Sequence, residues 1–282
     1  MGTGLAYALA ASGTYGVATV VQALAVRRMA PTEAKAGSRA RAVSLYGVGL
    51  LLDVVGFAAS VAALQTLPLF LVQSVVASSV GVTAATATIV LHIRLSPTER
   101  FSLAIMTAGL VLLALSAEPG PAHPVGPFAG WWLLASSGLI AIILVAGVRA
   151  KGVASAMVLA TASGLGFGVV GIAARVLDVR HPWWHSAADP VLVSLLVAGA
   201  CAVVAYGFAL DRAPATTVAA ITFGVETVIP SIVGISLLGD TVRPNLELVA
   251  AAGFAATLGG CIALARLADA DVAASEQATP HT

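Results

Sequence analysis

The sequence predicts an all-α polytopic membrane protein with nine transmembrane helices, and three observations carry that prediction. Apolar blocks of about twenty residues, long enough to cross hydrocarbon, alternate with short polar breaks. Only 10% of the 282 residues are charged and the mean hydropathy is +0.98, whereas an ordinary soluble domain carries about 25% charged residues. The basic residues gather on one side of the layout that the blocks define.

Splitting the chain at its polar breaks places spans at 4–26, 42–65, 67–92, 101–117, 128–148, 152–174, 190–210, 213–238 and 246–265. A helix needs roughly 17 to 25 residues to cross the bilayer core, and the fourth span only just qualifies. Pro68, Pro190 and Pro214 fall in first turns, where a missing N–H costs little. The second and third spans together are too long for one crossing, so a tight hairpin is expected at Thr66, Leu67 and Pro68. The first block has no basic residue before it, and Arg27 and Arg28 follow it, so it reads as a retained helix and not as a cleaved signal peptide.

With the N-terminus outside, the cytoplasmic side receives Arg27, Arg28, Lys35, Arg39, Arg41, Arg94, Arg100, Arg149, Lys151, Arg212 and Arg266. The outside receives Arg175, Arg180 and Arg243. Eleven against three is a strong positive-inside bias, which an even number of spans would scramble. The C-terminus is therefore expected inside. Trp131, Trp132, Trp183 and Trp184 all land at the outer boundary, where indoles prefer to sit. Cys201 and Cys261 lie within apolar blocks and read as small hydrophobes. A net charge of +1 argues against a nucleic-acid partner. The partners expected are the lipid bilayer and a small ion or small-molecule substrate, with protons as a coupling ion. A homodimer is compatible with the sequence.

Two segments look alike: LPLFLVQSVVASSVGVTAATATIVLHIRLSPTE at 67–99 and APATTVAAITFGVETVIPSIVGISLLGDTVRPN at 213–245. Both open with X-Pro, continue as a Ser/Thr-rich apolar helix, and close at a second proline, Pro97 or Pro244. Nine spans make the third run inward and the eighth outward, so the halves are expected as inverted copies of four helices. The expected organisation is residues 1–117 for the first repeat, 118–151 for a connecting fifth helix, 152–267 for the second repeat and 268–282 for a disordered cytoplasmic tail.

One helix, a basic loop, then a glycine-rich helix running into ALQTLPLFLVQSV resembles the drug/metabolite transporter superfamily, as does LSPTERFSLAIMTAGLVLLAL. Four plus five spans with the N-terminus out is similar to the NIPA-type branch of that EamA-like superfamily, and the resemblance implies a magnesium transporter. That branch carries a Gly-Glu pair upstream of the third helix, where this chain has Gly56 and Phe57, with Asp53 one turn earlier.

Two acids lie deep in spans. Asp53 sits near the middle of the second span, about 16 Å from either end at about 1.5 Å per residue. A central Asp costs on the order of 2.5–3.5 kcal/mol on insertion scales. The readings are a protonated acid, a structural hydrogen bond to a neighbouring helix, or a cation or proton site. Glu226 lies at the centre of the eighth span in TFGVETVIP, four residues before Pro230. Pro230 has no N–H for the Glu226 carbonyl, so a kink and a free carbonyl are expected beside a carboxyl group. Such an oxygen-rich spot suits a hard cation or a proton. The plainer reading is a proline kink with a protonated Glu packed on a helix.

Thr222 lies one turn from Glu226 on the same face. Gln73, Ser74 and Ser78 share a face of the third span that Ser79, Thr83 and Thr86 continue, and such stripes more often bond between helices than hold a ligand. Gln22 would line an entrance or sit at an interface. Gly164 and Gly168 have the small-xxx-small spacing of close helix packing. In the outer loop RVLDVRHPWWHSAADP, His181 and His185 with Asp178 and Asp189 suggest a metal, but Pro182 interrupts any helix linking them and an interfacial segment is the better reading. No catalytic motif, phosphate loop or cofactor motif is present, so no enzyme and no cofactor are expected.

The leading expectation is a secondary transporter, with Asp53 and Glu226 as tentative metal ligands or proton carriers and Mg²⁺ or another divalent cation as the family-implied substrate. The alternatives are a proton-coupled exporter of small organic metabolites or drugs and a non-transporting scaffold. Heavy use of Ala, and of Arg over Lys, points to a bacterial plasma membrane.

Overall fold

A computed structural model describes residues 2–29, 36–91, 96–120, 122, 126, 128–150, 153–177, 189–213 and 215–277. Its helices are α1 (Gly2–Met29), α2 (Ala36–Leu64), α3 (Leu69–Ala77), α4 (Ser79–Leu91), α5 (Pro97–Ser116), α6 (Ala129–Arg149), α7 (Val153–Val176), α8 (Pro190–Leu210), α9 (Ala215–Leu237) and α10 (Glu247–Gln277). Two short strands, β1 (Ala117–Glu118) and β2 (Thr241–Val242), pair antiparallel, with Ala117 opposite Val242. Among the described residues eight helical segments are long and apolar enough to cross a membrane, and α9 contributes a shorter apolar stretch, Ile221–Leu237. Length and composition fit a multi-pass membrane protein.

The burial pattern is that of a protein in lipid. Large apolar side chains point outward, Leu248 and Leu237 being 86% and 71% exposed, and Trp131 and Trp132 are exposed at the start of α6. Small and hydroxylated residues fill the helix contacts, among them Ser12, Ser137, Ser194 and Thr257. Ser137 and Ser194 bond across α6 and α8 at 2.9 Å. Gly109 of α5 lies on α10 so closely that an added Cβ would be 2.6 Å from the Thr257 nitrogen.

The helices assemble in three groups. α1 packs on α2, α3 and α4; α7 packs on α6, α8 and α9; and α5 pairs with α10. α3 reaches across to α9 and α7, whereas α4 stays with α1 and α10. Gly164 and Gly168 let α7 and α9 meet, with added Cβ atoms falling 2.7 Å from the Thr222 carbonyl and 3.0 Å from the Pro230 ring.

Local chemistry sets the ends. Pro68 caps α3 and Pro190 opens α8, where Asp189 accepts from the Val191 N–H at 2.9 Å. At α5, Ser96 and Glu99 form a reciprocal capping box with bonds of 3.3 and 2.6 Å.

Pro230 does not interrupt α9, whereas the third span is divided at Ser78. α9 runs helically through the buried Pro230, with Gly168 making room for the ring and Ser231 Oγ donating to the Thr227 carbonyl at 2.5 Å. The break comes in the third span, at Ser78. There Ser78 Oγ donates to the Val75 carbonyl at 2.6 Å, and the Cys261 thiol reaches the Ala77 carbonyl at 3.4 Å. Side chains thus serve backbone groups at the break, as a buried interruption requires. Helix α10 continues to Gln277, into the expected tail.

Candidate functional site

Asp53 and Glu226 both lie within electrostatic range of one group that sequence reasoning missed, the phenol of Tyr15. α1 and α2 run antiparallel, and their polar residues meet in two rungs. In one, Gln22 Nε2 donates to Asp53 Oδ2 at 2.6 Å. In the other, Tyr15 lies against Ser60, and its phenol is within electrostatic reach of both Asp53 and Glu226. Tyr15 and Gln22 are seven residues apart on α1, and Asp53 and Ser60 seven apart on α2, so each pair shares a helix face about 10.5 Å apart along the axis.

The ring has a prepared seat. Gly56 faces α1, where an added Cβ would sit 2.6 Å from Thr14 Oγ1 and 3.2 Å from the Tyr15 ring. Ser60 is buried and turns its own hydroxyl onto the Phe57 carbonyl at 2.8 Å. Half-buried Glu226 on α9 takes no hydrogen bond or ion pair from any described residue and lies within electrostatic range of Tyr15. The carbonyl it shares a residue with has no N–H at Pro230 to pair with. The acid of one helix group is therefore held by an amide, and the acid of the other is left open.

The remaining sequence-selected positions are occupied with packing. Thr222 Oγ1 donates to the Ala160 carbonyl of α7 at 3.2 Å. Gln73 is buried with its amide against Gly171 of α7. Ser74 Oγ donates to the Phe70 carbonyl at 2.7 Å, and Ser78 Oγ also meets Ser12 Oγ at 3.2 Å. These are the helix-to-helix and helix-to-backbone bonds expected of hydroxyl stripes. Asp178, His181 and His185 of the loop considered for a metal lie outside the described residues, and Asp189 acts as the α8 cap.

Among the described residues no three His, Cys, Asp or Glu side chains come together as a metal site. An ion held here would draw on one carboxylate at a time, with Tyr15, Ser60 and backbone oxygens nearby. All of these are hard oxygen donors, which suit protons, Mg²⁺ or Ca²⁺ and not soft metals. The signal that could have found Tyr15 is its spacing: it is seven residues before Gln22, on the same face of α1.

Comparison with known protein families, curated proteins and solved structures finds no match to this chain.

Proposed function

We propose that the chain is a nine-span secondary transporter of the drug/metabolite type, moving Mg²⁺ or another small divalent cation by alternating access, with its N-terminus outside a bacterial plasma membrane. The observation that carries this reading is a pair of intramembrane acids from two helix groups, Asp53 on α2 and Glu226 on α9, both within electrostatic range of the Tyr15 phenol. Intramembrane acids are costly and mark ion paths by default. A site shared between two groups of helices is what alternating access needs.

The contact pattern supports an inverted repeat. α1 packs on α2 and on α3–α4 as α7 packs on α8 and on α9, while the counterparts α3 with α9 and α5 with α10 pair directly. Positive-inside counting supports the orientation.

One observation favours the second reading, a proton-coupled exporter of small organic solutes. The acids do not gather into a cluster of three or more ligands among the described residues, and a proton needs only one. Flux into proteoliposomes decides between them, with Mg²⁺ offered with and without a pH gradient to wild type and Glu226→Gln. The cation reading expects Mg²⁺ uptake that the variant loses. Collapse of a pH gradient by organic solutes, with no Mg²⁺ uptake, selects the exporter. Neither activity from a folded, correctly oriented protein leaves the non-transporting scaffold.

A further inference from the structure

One end of the helix bundle is closed by a charged clamp. Arg175, at the end of α7, and Asp240, in the turn after α9, are 3% and 4% exposed, and Arg175 Nη2 meets Asp240 Oδ1 at 2.7 Å. Both belong to the α7–α9 group, and together they grip the turn that joins α2 to α3. Arg175 Nη1 donates to the Leu64 carbonyl, and Asp240 Oδ2 accepts from the Leu69 N–H at 2.5 Å. Around them, Gln65 Nε2 donates to the Ala174 carbonyl at 3.1 Å, and the Gly120 N–H to the Thr66 carbonyl at 3.1 Å. Arg175 Nη2 also reaches the Gly120 carbonyl at 3.0 Å.

Three features mark this as a contact built to release. The ion pair is contained within one helix group, so letting go of the α2–α3 turn does not break it. Arg175 Nε is buried without a hydrogen-bond partner among the described residues, so the closed form keeps a polar cost that hydration on opening would offset. The closure is also one-sided: α3, beside the clamp, packs on α9 and α7, whereas α4, at the far end of the same span, packs chiefly on α1 and α10. At the opposite end, Arg212 braces its own group among the described residues, bonding the Gly147 and Val148 carbonyls at 2.8 and 2.9 Å.

We propose that the grip of Arg175 and Asp240 on the α2–α3 turn is the outer gate of the transport path, closed in this conformation, and that the path opens when the turn leaves the ion pair. The inference rests on the transporter reading and on its orientation, which puts this end outside.

The test reads access and not flux. In full-length protein with Cys201→Ala and Cys261→Ser, a single reporter, Ser60→Cys, is placed one turn below Leu64 at a buried position between the clamp and Tyr15. Right-side-out vesicles are treated with a membrane-impermeant maleimide. Adding Arg175→Met with Asp240→Asn, which removes both charges together, is expected to speed labelling on the order of 10-fold by shifting the closed–open population. Gly234→Ala supplies a second route, because its Cβ would lie 2.5 Å from Asp240 Oδ2 and push the carboxylate aside with both charges kept. It too is expected to speed labelling. Unchanged labelling in either variant, purified as monodisperse protein, overturns the gate and leaves a static staple. Flux measured in parallel on protein that keeps Ser60 separates the two claims: faster labelling without transport of Mg²⁺ or organic solutes keeps an opening at the clamp and sinks the transporter reading, while transport with unchanged labelling does the reverse.

Discussion

A carboxyl group at mid-helix is costly in lipid, and Asp53 and Glu226 meet that cost in different ways. Asp53 accepts from Gln22 at 2.6 Å, so one oxygen is already served by protein. Glu226 lies within electrostatic range of Tyr15 and takes no bond from a described residue. On the proposed reading, the difference makes Glu226 the group open to an ion and Asp53 the group held in place. Tyr15→Phe keeps the ring in its Gly56 seat and removes only the oxygen. Transport should fall on the order of 10- to 100-fold, while stability changes by about 1 kcal/mol or less, the net worth of one hydrogen bond. Flux and thermal unfolding in detergent, read on the same sample, check this. Glu226→Gln is expected to abolish flux and to leave the unfolding midpoint equal or higher, since it removes a charge without an observed partner. A lower midpoint would mean that Glu226 is structural. The acids were legible because a charge stands out in an apolar run. Their common neighbour was not, because a tyrosine in such a run is unremarkable by composition.

At the level of helices, close approach rests on small residues, and it separates glycines that look alike in sequence. Gly109 sits where α5 and α10 touch, and an added Cβ would lie 2.6 Å from the Thr257 nitrogen and 2.7 Å from the Gly253 carbonyl. Gly138 of α6 has nothing within 4 Å of such an atom. Gly109→Ala should therefore cost about 1–3 kcal/mol through overpacking against backbone that cannot yield. Gly138→Ala should gain up to about 1 kcal/mol from helix propensity. Detergent melts of the two variants should move in opposite directions, and a shared direction would refute this account of the α5–α10 contact. The third span and α9 make a related point. Proline is the usual mark of a broken helix, yet α9 passes Pro230 while its counterpart breaks at Ser78. Losing one N–H is tolerated where the ring has room, and a serine that bonds its own preceding turn can end a helix where the neighbours supply donors such as Cys261.

Across the whole molecule the two helix groups are tied at one end by charge. Gly239, with φ 71°, lets the chain turn sharply after α9 and bring Asp240 back over α7. β1 and β2 pin the same turn to the end of α5, and the Arg243 N–H reaches the Ser116 carbonyl at 2.8 Å. Removing one member of a buried ion pair strands the other, so Arg175→Met alone should destabilise by about 3–5 kcal/mol. Arg175→Met with Asp240→Asn should cost clearly less than the two single changes summed. A double-mutant cycle of thermal stabilities in detergent measures that coupling, and simple additivity would show that the pair does not act as a unit.

The sequence by itself determined the apolar blocks, the polar breaks, the charge asymmetry and the two intramembrane acids, because hydropathy and length are properties of contiguous residues. It also made the Gly164–Gly168 face readable, and that face packs against α9. Only the tertiary structure decided which polar groups meet. Gln22 reaches Asp53 across 31 residues, Cys261 reaches Ala77 across 184, and Asp240 reaches Leu69 across 171. No periodicity encodes such pairings. Arg175 shows the reason most plainly: at the end of a span it reads as one more charge at the water boundary, where charges are cheap, and only the docking of the α2–α3 turn buries it.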